Sequence, residues 1–367
     1  MQTVKNITSI KYFLNLSDTI GLDPEYVYDV NYHPNVPNTR WHSLPTFVTE
    51  FYNCSVHSLP LLVTEDQHLI TEHVWPLLHK YKNKPQKTHG LWNSWGKEIN
   101  INIKLPPVTK QFNDSHKFVW LPIDEESANN PWHVWIDVIS KFRLLERRGT
   151  THFTKYVYIM SNPSKYFDKV AKELFPTLKY YVMPKNTVWR FQHLFVPSMS
   201  NHNDGVITPP LAPWLRHFKG LFVKDVIPRR KIFVSRTNAK TRKLVNAEQL
   251  LIALKGWETV TLETMSFREQ VRTFEEASHI LATHGAGLIN LLWCGVGTKV
   301  IEIQDKKMLH KKVYPLLSYH LNLKHEIYLA ETIRVPTQNK IKPKGVKRLN
   351  DLINFKVNIT NLLKHLD

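Results

Sequence analysis

The chain has 367 residues, which exceeds the usual size of a single hydrophobic core and predicts two domains. An apolar content of 42% and eleven tryptophans exclude a disordered chain, and two distant cysteines, Cys54 and Cys294, exclude a disulfide framework and a cysteine-based zinc site. The formal net charge of +18 indicates either an anionic partner (a nucleic acid, a membrane surface or a phosphorylated small molecule) or a solubility effect of lysines spread along the whole chain.

The first half of the chain predicts alternating strands and helices from Lys117 onwards. Before that residue, short apolar runs among Pro, His, Asn and aromatic residues favour short strands with long connections. Asn130 and Pro131 are a capping residue and a first-turn proline, so they open a helix that runs to Arg147. The remaining predicted elements are strands over 118–121, 156–160 and 180–183, a helix over 165–175, an apolar run over 191–196 and a proline-rich loop over 209–213.

The second half repeats this alternation. Ser266 and Glu269 have the spacing of a capping box, so a helix begins there. The remaining predictions are strands over 231–235, 259–262, 280–282 and 299–303, a helix over 246–255, a solvated lysine-rich segment over 337–348 and an amphipathic helix over 350–365.

This alternation predicts an α/β fold of doubly wound parallel sheets. We expect two Rossmann-like domains that face a cleft, residues 1–215, irregular over the first hundred or so, and residues 216–335. Residues 336–367 are expected to be a basic tail with a terminal helix. No stretch approaches the about 18 apolar residues of a membrane span, and Met1–Leu16 lacks the apolar core of a signal peptide.

The most informative stretch is the glycine loop, which runs from His284 to Asn290. The chain has only twelve glycines, yet Gly285, Gly287, Gly295 and Gly297 fall within thirteen residues. An apolar strand that enters a Gly-x-Gly loop and then a helix leaves backbone N–H groups at the helix start, where they can seat a phosphate or diphosphate. The same spacing also occurs in ordinary turns.

Three candidate ligand-binding groups follow or end predicted strands, where parallel sheets bind their ligands. Arg236, with Arg242 after it, suits the charge and geometry of a diphosphate, although it could instead pair with a local carboxylate. Glu302 could accept hydrogen bonds from a ribose diol or be an edge residue of its strand. His284 could contact phosphate or be structural.

His133 and Asp137 form a second candidate group, because they lie four residues apart on one face of the predicted helix. An aspartate beside an imidazole fixes its tautomer, as a general base near neutral pH requires. An ordinary solvated helix face would give the same spacing.

Several common catalytic motifs are missing from the sequence. No Asp-x-Asp and no metal spacing of the histidines occurs, so a metal-bridged diphosphate site has no obvious ligands. The absence of GxxxxGK[ST], of GxGxxG before a helix and of GxSxG disfavours a P-loop enzyme, a nicotinamide dehydrogenase and a serine hydrolase.

The order and spacing of many separate segments resemble the signature of family-61 glycosyltransferases, over roughly Val119 to Ile303. The segment Asn130–Asp137 resembles the family's Asn-x-x-His helix. One departure is Cys294-Gly295-Val296, where relatives often carry proline before the turn. The other segments are Lys231–Arg236, Arg242–Glu248, Leu262–Glu263, Ser266–Phe267, Gln270–Val271, Ala277, His284–Asn290 and Gly297–Glu302.

The resemblance implies a GT-B fold and an inverting, metal-independent transfer of a sugar from a nucleotide diphosphate sugar, typically UDP-linked, to a glycan or protein hydroxyl. Known relatives transfer xylose, arabinose or N-acetylglucosamine. On this interpretation His133 is the base and Asp137 orients it. The expected donor-binding residues are Arg236, Arg242, Asn246, His284, Gly285, Ala286, Gly287, Leu288, Asn290 and Glu302.

The same interpretation predicts a UDP-sugar as donor substrate, a glycan acceptor, no cofactor, no metal, no nucleic-acid partner and no membrane span. Because secretory relatives have a membrane anchor that this sequence lacks, we expect a cytoplasmic enzyme of a microbe or virus. Two alternatives are a polyanion-binding or nucleic-acid-binding protein, suggested by the charge of +18, and a catalytically inactive glycan-binding relative.

Overall fold

The computed structural model divides the chain into two compact units, residues 1–26 with 43–202 and residues 27–42 with 203–367. The unit boundary lies before the predicted one at 215, because the helix Leu211–His217 packs on two helices of the second unit, Ala286–Trp293 and Val313–His320. The structure describes residues 2–8, 21–23, 26–30, 39–43, 46–58, 61–70, 99–123, 128–147, 155–161, 163–198, 201–202, 206–223, 226–239, 241–309, 312–334 and 353–366.

Strands predominate among the described residues of the first two hundred, including the part that the sequence predicted as short strands. They are β1 (Gln2–Thr8), β2 (Gly21–Asp23), β3 (Tyr26–Val30), β4 (Thr39–Ser43), β5 (Thr46–His57), β6 (Leu61–Val63), β7 (His68–Ile70), β8 (Ile99–Leu105), β9 (Val108–Phe112), β10 (Lys117–Leu121), β11 (Tyr156–Met160), β12 (Lys179–Val182), β13 (Val188–Pro197) and β14 (Asn201–His202).

The large sheet of the first unit is mixed, whereas the sequence predicted a parallel one. Its strand order is β12-β11-β10-β13-β5-β6-β7-β1-β8, with β2 on β5 and β9 on β13. The first four strands in this order are parallel, and β5 is antiparallel to β13. Short connections join β5, β6 and β7, and connections of that length can only link antiparallel neighbours.

The predicted helix from Asn130 to Arg147 forms, but it is divided by a π-helical turn. Its segments are α1 (Pro131–His133), a π-helix (Val134–Ile139) and α2 (Ser140–Arg147), and α3 (Lys165–Leu174) follows β11. The side chain of Asn130 accepts a hydrogen bond from the Trp132 amide at 3.0 Å, which confirms the predicted cap. The Ser140 amide donates to the carbonyl five residues back, on Trp135, and the Ser140 hydroxyl donates to Ile136 O at 2.5 Å.

The sheet of the second unit is entirely parallel, with the order β17-β16-β18-β19-β20, as the alternation predicted. Ser266 and Glu269 form the predicted capping box. The strands are β15 (Val206–Ile207), β16 (Arg230–Val234), β17 (Glu258–Val260), β18 (Ala277–Thr283), β19 (Lys299–Gln304), β20 (Lys324–Leu329), β21 (Glu331–Arg334) and β22 (Ile353–Lys356). The α-helices are α4 (Leu211–His217), α5 (Ala247–Ala253), α6 (Phe267–Glu275), α7 (Val313–His320) and α8 (Ile359–Leu363), and 3-10 helices cover Phe218–Leu221, Leu262–Thr264, Ala286–Trp293 and Lys306–Met308.

The predicted terminal helix over 350–365 is wrong. Residues Ile353–Lys356 form β22, antiparallel to β21, and only Ile359–Leu363 is helical. Phe355, Val357, Leu362 and Leu366 belong to the core that also contains Phe233, Leu281 and Ile301. The apolar residues of this segment therefore complete the second unit, and the predicted solvated segment 337–348 lies outside the described residues. Among the described helices, none has the length and apolarity that crossing a membrane would need.

We expect Phe355→Ala to lower the free energy of unfolding by about 3–5 kcal/mol, because Phe355 is fully buried and its removal leaves a cavity. Urea unfolding followed by fluorescence measures this change. Ile252→Ala is the matched control, since Ile252 is 80% exposed in the same unit. Equal unfolding midpoints for both variants would contradict the assignment of β22 to the core.

Candidate functional site

The second sheet places two sequence-predicted groups next to each other at the point where its strand order reverses. On one side β16 pairs with β17. On its other side it pairs with β18, and β19 and β20 follow in the sheet. Arg236 follows the carboxyl end of β16, and His284 follows the carboxyl end of β18, its neighbour. In open parallel sheets, ligands bind outside the carboxyl ends of the strands at this switch point.

Arg236 lies directly against the backbone of the glycine loop. A Cβ atom added to Gly285 would lie 2.1 Å from Nη1 of Arg236, and one added to Gly287 would lie 2.7 Å from Leu262 Cδ1. Gly285 has an extended backbone with φ 176°, so it needs no special conformation. The guanidinium therefore occupies the space of a side chain at 285, and any such side chain would displace the end of Arg236.

The guanidinium of Arg236 is poorly satisfied within the described part of the chain. Its Nε is buried there without a hydrogen-bond partner, and its Nη2 donates to Thr241 O at a long 3.4 Å. Burial, followed by repulsion from Arg242, lowers the pKa of Arg236 to about 10, while Tyr314 and Glu263 oppose the shift. The side chain stays charged at neutral pH, and a cation in this setting favours binding of an anion.

Arg242 is held beside Arg236 by the carboxyl-terminal strand β22. Its backbone is left-handed, with φ 60°, and its amide donates to Ile353 O at 2.6 Å. A left-handed conformation is strained for arginine, and this hydrogen bond helps to maintain it. The carboxyl-terminal segment therefore shapes the loop that carries the second cation.

Only some of the backbone amides that the sequence predicted as phosphate ligands are available to a ligand. The His284 amide donates to Ile303 O at 3.0 Å, and the Leu288 amide donates to Gly285 O at 2.9 Å as the first bond of the 3-10 helix Ala286–Trp293. The amides of Ala286 and Gly287 precede that first bond, so the helix itself does not use them.

Asn246 and Asn290, both expected to bind the donor, have their amides engaged by the protein. Asn246 donates to Val357 O at 2.9 Å and accepts from the Val357 amide at 3.2 Å, so it fastens the carboxyl-terminal segment. Asn290 is 2% exposed, donates to Gly287 O at 3.0 Å and accepts from Trp293 Nε1 at 3.0 Å. Both residues support the loops around Arg242 and Gly287.

Glu302 lies in an inner strand, fully buried, and both of its carboxylate oxygens face histidines. His284 Nδ1 lies 2.5 Å from Oε1, and His325 Nε2 lies 3.0 Å from Oε2. Burial opposes the charged form, but the two histidines outweigh it and lower the pKa of Glu302 to about 2. The expected hydrogen bonds to a ribose diol do not fit this geometry, and Glu302 instead orients His284.

The sequence analysis missed the residues that complete this cluster. His325 lies on β20, diagonally opposite Glu302, and its Nδ1 is 2.7 Å from the hydroxyl of Ser318 on α7. The ring of Tyr314, also on α7, meets His284 edge to face at 5.1 Å. No local pattern marks these three residues, because only the register of β19 and β20 and the packing of α7 bring them to the site.

In the first unit, His133 and Asp137 touch as predicted. His133 Nδ1 lies 2.6 Å from Asp137 Oδ2, and the two side chains are 31% and 14% exposed. His133 is the last residue of α1, and the π-helical turn that follows contains Asp137. When Asp137 accepts the Nδ1–H proton, Nε2 carries the lone pair that a general base needs.

Among the residues that the structure describes, no group of three His, Cys, Asp or Glu side chains is arranged to hold a metal ion.

Comparisons with known proteins agree on the class of this chain. The sequence model of the family described as Glycosyltransferase 61 matches residues 57–301. The beta-1,2-xylosyltransferase RCN11 of Oryza sativa subsp. japonica is 29% identical over 133 residues, which cover 33% of this chain and 22% of the rice protein. The chain is thus aligned with about a fifth of the length of that relative.

We expect acid to destabilise the protein through Glu302. The pKa of Glu302 is depressed in the folded state, so its stabilising contribution is present above the unfolded value of 4.5 and is lost as pH falls towards 2. Free energies of unfolding measured between pH 5 and pH 2 should therefore fall more steeply for the wild type than for Glu302→Gln. Glu331→Gln, on an exposed strand, serves as the control. Parallel curves for the wild type and Glu302→Gln would contradict this role.

Proposed function

The chain belongs to glycosyltransferase family 61, and from this we propose that it transfers a sugar from a UDP-sugar donor to a hydroxyl of a glycan acceptor. The proposal includes inversion at the anomeric carbon, no metal requirement and a GT-B fold made of the two units. The parallel strands of both units and the switch-point position of Arg236 support it.

The single observation that carries the proposal is the buried guanidinium of Arg236 against Gly285. A diphosphate would supply the negative charge and the hydrogen-bond acceptors that this side chain lacks within the described structure. The amides of Ala286 and Gly287 and the charge of Arg242 lie in the same loops, and together these groups can stabilise a departing diphosphate without a metal.

The proposed reaction is a single displacement. The acceptor oxygen attacks the anomeric carbon while its proton passes to Nε2 of His133, whose Nδ1–H is held by Asp137. The bond between the anomeric carbon and the phosphate oxygen breaks, and its electron pair leaves with the diphosphate. One displacement inverts the configuration, and the proton on His133 returns to solvent after product release.

The first donor to test is a pentose donor. The aligned rice protein is named a beta-1,2-xylosyltransferase, which supports UDP-xylose before UDP-arabinose and UDP-N-acetylglucosamine. Thermal-shift screening of these nucleotide sugars, followed by a transfer assay with glycan acceptors, selects among them.

We expect Arg236→Ala to weaken binding of UDP about 10-fold to 100-fold, because a hydrogen bond to a charged group contributes about 1.5–3 kcal/mol. Gly285→Ala should weaken UDP binding to a similar extent, since a methyl group there collides with Arg236 at 2.1 Å. Isothermal titration calorimetry measures both affinities.

Two matched variants control for general damage. Gly220→Ala adds a methyl group that meets no atom within 4 Å, and Arg272→Ala removes a guanidinium whose side chain is 73% exposed. Both should bind UDP like the wild type. Unchanged affinity in Arg236→Ala would remove Arg236 from the site. If UDP does not bind while any polyanion binds with a steep salt dependence, the chain is the polyanion-binding alternative.

We expect His133→Ala to lower kcat by about 10²-fold to 10⁴-fold with unchanged UDP affinity, because it removes the general base but no donor contact. Initial rates of sugar transfer at saturating donor measure kcat. His116→Ala, at an exposed turn of the same unit, should leave kcat unaltered. Near-wild-type transfer by His133→Ala would show that another group is the base.

A further inference from the structure

A series of three buried hydrogen bonds joins the start of the glycine loop to helix α7. His284 Nδ1 lies 2.5 Å from Glu302 Oε1, and Glu302 Oε2 lies 3.0 Å from His325 Nε2. The hydroxyl of Ser318 on α7 lies 2.7 Å from His325 Nδ1. All four side chains are at most 7% exposed. We call these four residues the relay, and each of them comes from a different part of the second unit: the loop after β18, β19, β20 and α7.

The charge of Glu302 determines which atom donates at each step of the relay. Burial alone would raise the pKa of Glu302, but the two histidines lower it to about 2, so the carboxylate is ionised at neutral pH and can only accept hydrogen bonds. His284 Nδ1 and His325 Nε2 must then each carry a proton that they donate to it. With its proton on Nε2, a neutral His325 has a lone pair on Nδ1, which accepts the hydroxyl proton of Ser318.

His325 keeps the carboxylate of Glu302 directed at His284. A carboxylate turns readily about the last bond of its side chain, so a partner on one oxygen alone leaves its orientation loose. The donor to Oε2 comes from β20, which pairs in register with β19, and it removes this freedom. Without that donor, one oxygen of a fully buried charged group would lose its hydrogen bond, which is strongly unfavourable.

Helix α7 meets this cluster at two points on one face. Ser318 lies about one helical turn after Tyr314, whose ring meets that of His284 edge to face at 5.1 Å. The same helix packs on the 3-10 helix Ala286–Trp293, which follows the glycine loop. Helix α7 therefore contacts His284 directly, and through Ser318 and His325 it also holds the carboxylate that His284 binds.

The relay acts on the glycine loop because His284 is the first residue of that loop. The amide of His284 donates to Ile303 O at 3.0 Å, so both its backbone and its side chain are fastened to β19. Gly285 follows directly, and its backbone lies against the guanidinium of Arg236. A shift of the His284 ring is therefore transmitted to the backbone on which Arg236 packs.

We propose that His325 and Ser318 are positioning residues for the glycine loop, because they hold Glu302 on Nδ1 of His284 and so fix the orientation and the tautomer of that ring. They act through Glu302 and His284 and not on the ligand itself. The inference rests on the proposed function in one respect, which is that the loop beside Arg236 binds the diphosphate of UDP. The tautomer of His284 can be measured without any ligand.

The first experiment records the imidazole nitrogen signals of His284 by NMR in protein labelled with ¹⁵N-histidine, assigned with His284→Gln. The wild type should show a proton fixed on Nδ1. His325→Leu removes the second donor to Glu302, so this proton should move to Nε2 or exchange between the two nitrogens. His325→Gln, whose side-chain amide can donate to the same oxygen, should keep the wild-type signals. His217→Leu, at an exposed position of α4, is the control.

Ser318→Ala tests the far end of the relay and is the second variant if His325→Leu does not fold. Alanine fits the same helix and removes only the hydroxyl. The signals of His325 should then lose the fixed Nε2–H tautomer, because the hydroxyl that donates to Nδ1 is gone.

The second experiment measures UDP affinity by isothermal titration calorimetry, at a temperature where circular dichroism shows every variant to be folded. His325→Leu should weaken UDP binding at least about 10-fold, because a small misplacement of binding groups has large effects. His325→Gln should restore the affinity to within about 3-fold of the wild type, because it keeps the hydrogen bond. In the Glu302→Gln background, His325→Leu should cause no further loss, because His325 acts through that carboxylate.

Wild-type histidine signals in both His325→Leu and Ser318→Ala would overturn the proposal. Unchanged UDP affinity in His325→Leu would also overturn it, as would equal losses of affinity in the wild-type and Glu302→Gln backgrounds. If the wild type binds no UDP while His325→Leu shifts the proton of His284, the relay holds His284 as described and the proposed function is refuted instead.

Discussion

The guanidinium of Arg236 packed on the backbone of Gly285 is the central contact of the candidate site in the second unit. A side chain at 285 would displace this guanidinium, because its Cβ atom would lie 2.1 Å from Nη1. The contact also brings a cation to the switch point of a parallel sheet, where no described carboxylate neutralises it closely. The charge of Glu263 partly compensates for this unfavourable arrangement, and an arriving anion would relieve it.

The polar residues around this contact divide into two groups. Glu302, Asn246 and Asn290 have their hydrogen-bonding atoms committed to the protein, and they hold His284, the carboxyl-terminal segment and the Gly287 turn in place. The groups that we propose for ligand binding are instead Arg236, Arg242 and the amides at the start of the 3-10 helix. The pairing within the first group follows from burial, since buried polar atoms are normally paired within the protein.

The first unit contains a second polar contact, between His133 and Asp137. There His133 Nδ1 lies 2.6 Å from Asp137 Oδ2, and Asp137 is part of the π-helical turn from Val134 to Ile139. Residues 140–145 at the start of α2 are all buried, so the helix is enclosed beyond this pair.

Local patterns were sufficient for the elements and for the contacts within one element. The cap at Asn130, the capping box at Ser266, the parallel strands of the second unit and the contact of His133 with Asp137 all depend on residues at most a few positions apart. Local patterns failed for 350–365, because the helical spacing of its apolar residues was overridden by pairing with β21 and packing of Phe355 in the core.

By itself, the sequence determined the α/β class, the glycine loop, the arginine after its strand and the family, since each is written in short segments of fixed spacing. Only the tertiary structure decided which of the predicted polar residues are fully paired within the protein. Glu302 and Asn246 appeared equivalent to Arg236 in the sequence. They differ because strand register and the returning carboxyl terminus supply partners to the first two, whereas Nε of Arg236 is buried without a partner among the described residues. Those partners lie up to 111 residues away in the chain, and no local pattern encodes them.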